Sequence, residues 1–307
     1  MMKAETLGDT VQAEGLVSPS LRELIDLARL AGSMPNNPKT TQVSSLTGGH
    51  YARLKGRGME FDESRPYAPG DDVRSLDWRV TARTAKPHTK LYREERERPV
   101  YICVDFRSSM FFASRGVYKS VMAAKMAALL AWRAKDQGDR IGGSLFSEAG
   151  IREIAPKSGQ RAVLQWLNGL VTFAKSPETR HEVNAREQSI QNALRHLGNH
   201  VKPGSQVYLL SDFRHLTPSG AESISRIAKQ SSVTLIFIYD PLEEKLPEAS
   251  LSFSYQGNMV TLPDDPKMRA IHAAGFISRQ QYVQSLAAKH RILFRSISTT
   301  DPVSRCV

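Results

Sequence analysis

From about residue 100 onward, apolar and polar positions alternate in blocks rather than singly. Residues 100–104, VYICV, form an unbroken and partly β-branched apolar run that stops at Asp105. A run of that length reads as a strand buried on both faces, as in a parallel sheet. Residues 205–210 (SQVYLL, running into Ser211-Asp212), 233–239 (VTLIFIY) and 292–297 read the same way, and 140–146 supplies a further strand with 150–155 as its hairpin partner. Between them the apolar spacing becomes helical. Val121, Met122, Ala124, Leu129, Ala131 and Trp132 stripe residues 117–136, and Val163, Leu164, Leu167 and Leu170 stripe 160–171. Further helices are predicted over 185–197, 218–230 and 278–289, with a polar loop at 172–184. A hairpin is predicted over 250–262 about Tyr255-Gln256-Gly257-Asn258, on the sheet edge. Strands alternating with helices predict an α/β fold, a doubly wound and mainly parallel sheet.

The first hundred residues follow another grammar. Residues 1–18 lack periodicity, whereas 19–31 carry Leu21, Leu24, Ile25, Leu27 and Ala28 at helical spacing, with Ser18 as the expected N-cap and Gly32 after the end. Residues 33–49 read as a linker rich in Pro, Asn, Ser, Thr and Gly. The segment 50–98 mixes short apolar stretches with dense opposite charge and predicts an irregular β-rich region, with short strands at 76–80 and 89–93. Pro69-Gly70-Asp71-Asp72 is a turn signature. Glu60, Arg65, Asp71, Asp72, Arg74, Asp77 and Arg83 suit an ion-pair network in a region poor in core residues, or else a catalytic carboxylate pair; each acid has an arginine nearby, which favours the structural role. Trp78 is expected to anchor this region's core. The expected division is 1–47 (helix and linker), 48–98 (β-rich segment) and 99–307 (α/β domain).

Composition adds exclusions. No apolar run approaches the roughly 20 residues of a membrane-spanning helix, and the opening residues have neither the basic start nor the apolar core of a secretory signal. A cytoplasmic location is the expectation. Cys103 and Cys306 are too few and too distant for a disulfide framework, and Cys103 reads as a small buried hydrophobe. The net charge of +11 invites a nucleic-acid partner, but basic residues are interleaved with acids, as in KLYREERERP, so a solvated mixed-charge surface is expected. The turn after residue 104 has no glycines to cradle a phosphate and no Gly-x-Ser-x-Gly elbow. His196 and His200 have the i, i+4 spacing of zinc ligands, yet no third ligand is evident, and they read as surface histidines.

Chemistry is expected at the carboxyl edge of the sheet, where open α/β folds bind ligands. Asp105 and Asp212 each end a strand, and with Ser109 and Ser211 they would supply oxygen ligands suited to Mg²⁺ or Mn²⁺. Asp105-Phe106-Arg107-Ser108-Ser109-Met110 resembles the Asp-x-Ser-x-Ser metal-ion-dependent adhesion motif of von Willebrand factor A domains. The stretch GRGMEFDESRPYAPGDDVRSLDWRVTAR, which includes Tyr67 and Gly70, is similar to the bacterial family of unknown function encoded beside MoxR-type AAA+ ATPases. This resemblance implies a von Willebrand A-like domain with a non-enzymatic role in protein assembly or maturation. Its implied partners are a MoxR-type ATPase and other von Willebrand A-like proteins, bound through Asp105, Arg107, Ser108, Ser109 and Asp212.

This chain departs from the motif. Arg107 stands where the first serine belongs, and the threonine's place falls near Gln188. Asp105, Ser109 and Asp212 alone match by role. One expectation is that the Arg107 guanidinium replaces the ion between Asp105 and Asp212, so that no cofactor binds and an acidic side chain of a partner completes the cluster. The alternative is that Ser108 swings in as a ligand and Mg²⁺ or Mn²⁺ still binds. Two other classes stay open: a divalent-metal phosphodiesterase or phosphatase using Asp105 and Asp212, with Asp71 or Asp72, and a basic nucleic-acid-binding protein.

Overall fold

In the computed structural model, the described residues are 15–33, 59–94, 97–174, 183–255 and 258–306. The chain divides into a larger unit, residues 1–36 and 98–307, and a smaller one, residues 37–97.

The larger unit is built on a six-stranded sheet. Its strands are β3 (Pro99–Asp105), β4 (Arg140–Ser147), β5 (Gly150–Lys157), β6 (Gln206–Ser211), β7 (Ser232–Tyr239) and β10 (Leu293–Ser298), in the order β10-β7-β6-β3-β4-β5. Every pairing is parallel except that of β5, an antiparallel edge strand on β4. The period-two alternation of β3 explains the layering. Val100, Ile102 and Val104 face one core cluster, while Tyr101 and Cys103 face the other. The first face is covered by α1 (Leu21–Ser33), α3 (Lys119–Asp136) and α4 (Gln160–Ala174); the second by α5 (Val183–His200), α6 (Pro218–Ala228) and α8 (Pro266–Lys289).

Helix α3 is apolar nearly all round and rich in alanine, which suits a helix buried on both sides. The sheet lies on one side and α1 on the other; Leu24 of α1 is fully buried and its carbonyl accepts the Trp132 indole N–H at 2.9 Å. The N-terminal helix is thus part of the larger unit, not an appendage of the linker. Its N-cap is Ser20 rather than the expected Ser18, since Ser20 and Glu23 exchange backbone-to-side-chain hydrogen bonds as a capping box.

Cys103 is buried at the middle of the sheet, 3.2 Å from Ser144 Oγ, and burial pushes its thiol up to about 12.

The remaining differences have local causes. The pair β8 (Leu251–Tyr255) and β9 (Asn258–Leu262) forms its own two-stranded sheet instead of extending the main one, whose edge beside β7 is taken by β10. Helix α8 begins at Pro266 rather than 278, capped by Asp265, whose carboxylate accepts the Lys267 N–H at 2.9 Å. Its first turns expose Met268 and Ile271, so no apolar stripe announces them. Between β7 and β8 lies one short turn of helix, α7 (Pro241–Glu244).

In the smaller unit, β1 (Met59–Pro66) pairs antiparallel with β2 (His88–Glu94). Where a strand was expected over 76–80, Asp77 instead caps α2 (Trp78–Thr84), its Oδ1 accepting the N–H groups of Arg79 and Val80. The same side chain accepts the Ser64 hydroxyl at 2.7 Å, and Asp77 is held below its ordinary carboxylate range mainly by that bond. Asp72 caps the 3₁₀ turn Val73–Ser75 by accepting the Arg74 N–H. Arg65 pairs with Asp71 at 2.7 Å, and Asp71 also accepts the Ala68 N–H. Among the described residues, Asp71, Asp72 and Asp77 act as turn and helix caps, Arg65–Asp71 is the ion pair seen, and Arg74 and Arg83 are exposed. Gly70 has φ +107° in the turn before Asp71, where a side chain would be strained. Tyr67 is half-buried, its backbone N–H bonded to the Pro87 carbonyl. Trp78 is 69% exposed and anchors no core, correcting the expectation. The Glu60 side chain lies outside the described residues.

Candidate functional site

The carboxyl ends of β3, β6 and β7 each deliver an aspartate: Asp105, Asp212 and Asp240, all fully buried. Around the first two the chain assembles a closed cluster of charge. After β3 the backbone turns through a short 3₁₀ helix, Ser108–Met110, which folds Arg107 back over Asp105. The Arg107 backbone N–H and its Nε both donate to Asp105 Oδ1, at 2.9 and 3.0 Å, and the terminal nitrogen Nη2 donates to Oδ2 at 2.6 Å. The same Nη2 lies 3.5 Å from Asp212 Oδ1, and Nη1 donates to the Arg214 carbonyl at 2.9 Å. Ser211 Oγ completes the shell of Asp105, donating to Oδ2 at 2.6 Å.

A second cation closes Asp212. Lys119, the first residue of α3 and fully buried, reaches Asp212 Oδ2 at 2.9 Å and Glu243 Oε1 at 2.5 Å. Arg214 and Arg279 also bind Glu243, at 3.1 and 3.3 Å. Burial opposes the charge on Asp212, but Lys119, Arg107 and Arg214 hold its carboxyl far below the usual range. For Arg107 burial likewise opposes the charged form, and Asp105 outweighs it, leaving the guanidinium above its ordinary value. Asp240 is engaged separately, by Ser114 and Thr299, and sits below the usual range despite its burial. Backbone strain concentrates in the loop after β6, where Phe213 and His215 have φ of 51° and 61°; such strain persists where surrounding bonds over-determine the chain. Here the Ser211 and Asp212 side chains accept the N–H groups of Phe213 and Arg214.

Above the cluster opens a pocket of about 550 Å³, lined by Ser108, Phe112, Glu148, Arg214, Leu246 and His272 among others. Glu148 sits at its rim, accepting both the N–H and the hydroxyl of Ser108 at 2.8 Å. Arg107, Lys119, Arg214 and Arg279 thus stand against Asp105, Asp212, Glu243 and Glu148, and the charges balance four against four.

The structure brings together Asp105, Arg107, Ser211 and Asp212 as the strand-end pattern suggests. Ser108 points to Glu148 and not to the aspartates. Ser109 Oγ is buried without a hydrogen-bond partner among the described residues. The Gln188 side chain lies outside them. A magnesium ion needs near-octahedral oxygen ligation. These residues do not fit one: both carboxylates are occupied by the chain's own cations, and a single spare hydroxyl does not restore the donor set. Lys119 and Glu243 went unnoticed in the sequence because nothing local marks them. Asp240 carried the same signal as its two neighbours, an apolar run ending in aspartate.

Residues 63–281 match the family described as Protein of unknown function DUF58. Uncharacterized proteins of Mycobacterium bovis and Mycobacterium tuberculosis are 28% identical to the chain over 268 residues, 84% of this chain and 82% of theirs. Among solved structures, the conserved hypothetical protein BatB from Bacteroides thetaiotaomicron aligns with 68% of this chain and 94% of its own, at 13% identity and a TM-score of 0.44. An uncharacterized membrane spanning protein from Vibrio fischeri aligns with 66% and 91%, at 12% identity and a TM-score of 0.23. No helix among the described residues of this chain is long and apolar enough to cross a membrane.

Proposed function

The chain belongs to the DUF58 family of unknown function; we propose that it is a von Willebrand A-like, non-enzymatic binding module that docks a partner protein at the carboxyl edge of its sheet. The partner we assign is a MoxR-type AAA+ ATPase, with the protein serving as its adaptor in assembly or maturation of a client.

One observation carries the reading: the carboxyl-edge cluster of Asp105 and Asp212 is filled from within by Arg107 and Lys119. Every oxygen of Asp105 and Asp212 is engaged by a cation, a hydroxyl or a backbone N–H. A metal hydrolase needs carboxylates open to an ion and to water, so the occupied cluster speaks against that chemistry. What it supports is a rigid, pre-organised floor. The pocket above it, with Phe112, Leu242, Leu246 and Leu262 in its wall, suits an apolar anchor residue of a partner. Since Glu148 and Glu243 already balance the cations, the earlier expectation that a partner's acid completes the cluster gives way to this apolar anchor.

The test is capture of an AAA+ ATPase by the tagged protein from its native cells, comparing wild type with Ser108→Trp. Ser108 is exposed at the pocket rim, so the indole would block the mouth without entering the buried cluster. We expect the ATPase with wild type and a loss of at least tenfold with the variant, at an unchanged melting temperature. Capture in both would move the contact elsewhere, and no ATPase in either would sink the reading. Independently, calorimetry with Mg²⁺ should register no binding into the millimolar range.

A further inference from the structure

The two histidines that looked partnerless in sequence acquire a third group in space. Glu153, His196 and His200 converge so that one ligand atom from each lies within 4.8 Å of the others. His196 Nε2 and His200 Nε2 are 3.4 and 3.3 Å from the same oxygen, Glu153 Oε2. The elements explain the meeting. Ile154 of β5 turns into the core beneath α4, so by alternation its neighbour Glu153 emerges on the opposite face, the one α5 covers. His196 and His200 lie one turn apart near the carboxyl end of α5, their rings stacked at 4.1 Å.

The hydrogen bonding of His200 makes the arrangement specific. Its Nδ1 is 2.8 Å from the His196 carbonyl, which can only accept, so Nδ1 carries the hydrogen. In the neutral ring Nε2 then presents a lone pair, and that lone pair faces a carboxylate oxygen. A metal ion held between the two atoms would be bound by both of them. An Nδ1–H bound to a backbone carbonyl is also the outer-shell contact that orients a metal-binding histidine. The Tyr101 hydroxyl donates to the His200 carbonyl at 2.9 Å and steadies the helix end that presents the ring.

We propose that Glu153, His196 and His200 form a binding site for Zn²⁺ or a similar borderline divalent metal, which clasps the edge strand β5 to α5. Two nitrogens and one carboxylate oxygen are the donor types zinc prefers. Tetrahedral bonds of 2.0–2.1 Å separate two ligand atoms by about 3.4 Å, which matches the 3.3 and 3.4 Å found here. The side chains are 29–43% exposed, open enough for an ion to enter and for a water or a second ligand to take the fourth position. The site lies on β5 and the end of α5, shares no residue with the carboxyl-edge cluster and does not depend on the reading of that cluster.

The experiment is zinc titration of the full chain, purified without a histidine tag, by calorimetry and by thermal unfolding. One equivalent of Zn²⁺ should bind at micromolar or tighter Kd and raise the melting temperature, because a ligand bound only by the folded state stabilises it. His196→Ala and Glu153→Gln should each weaken binding by at least tenfold and abolish the thermal shift, while keeping the metal-free melting temperature within a few degrees. No zinc binding by the wild-type chain would overturn the proposal and leave a histidine–glutamate ion pair. So would binding that persists undiminished in the double variant His196→Ala/His200→Ala.

Discussion

Replacing Asp212 by alanine is expected to cost about 3–5 kcal/mol of folding stability, the range for removing one partner of a buried ion pair. The magnitude comes from what is left behind more than from the bonds lost. Lys119 and Arg107 are buried at 0% and 1% exposure, and without Asp212 the nearest acid to Lys119 is Glu243, already shared with Arg214 and Arg279. The check is equilibrium urea unfolding of wild type and Asp212→Ala, where a loss below about 1 kcal/mol would mean that the cluster is solvated and screened.

The pH dependence has a definite sign. Folding holds the Asp212 carboxyl far below its ordinary value. In the unfolded chain it takes up its proton near pH 3.9, about the value for a free aspartate. Between those limits the unfolded state binds more protons, so stability rises with pH. The contribution is complete above about pH 5 and declines progressively as the solution is acidified below that. Asp240 shifts in the same direction and adds to the slope. Asp212→Asn should therefore flatten the acid limb of a stability–pH curve in part. An unchanged acid limb would exclude Asp212 as its source.

The second large effect is expected at Gly143. This residue lies in β4 between β3 and β5, opposite Ile102, with φ +151° and beside the register shift at Ile141/Gly143. A methyl group there would collide with the Ile102 carbonyl oxygen and come within 2.6 Å of its nitrogen. Both obstacles belong to the backbone of the central strand, which cannot rotate away as a side chain could. Gly143→Ala is expected to lose at least about 3 kcal/mol, above the usual range for overpacking because backbone strain adds to the clash. Gly138→Ala is the control: its φ is also positive, at 76°, but nothing lies within 4 Å of the new methyl, so its loss should be about 1–2 kcal/mol, the cost of a side chain in the left-handed region. Equal losses at the two sites would remove the close approach of β3 and β4 as the cause.

Much of the sheet was legible because burial writes itself into local pattern. A strand enclosed on both faces must be apolar throughout, and β3, β6 and β7 announced themselves in this way, each halting at an aspartate. What could not be read had its cause elsewhere in the chain. Nothing near residue 153 says that its glutamate will meet two histidines over forty positions away, or near 119 that its lysine will be drawn in by Asp212. The segment 76–80 failed for another reason. Its apolar residues are too few to set a period, and the Asp77 side chain, by binding two backbone N–H groups, decides in favour of helix. The front of α8 was silent because it is stabilised at its cap and not by a buried stripe.

The burial of Cys103 gives the molecule an internal chronometer. Only a thiolate reacts with disulfide reagents, and this sulfur is both out of reach and, at about 12, almost wholly protonated near neutrality. In a chain carrying Cys306→Ser, modification of Cys103 therefore waits on separation of β3 from its neighbours. With reagent in excess, the labelling rate under native conditions would report how often the centre of the sheet comes apart, without denaturant. Repeating the measurement with each variant named above would show whether its damage reaches that centre or stays at the edge where the residue was changed.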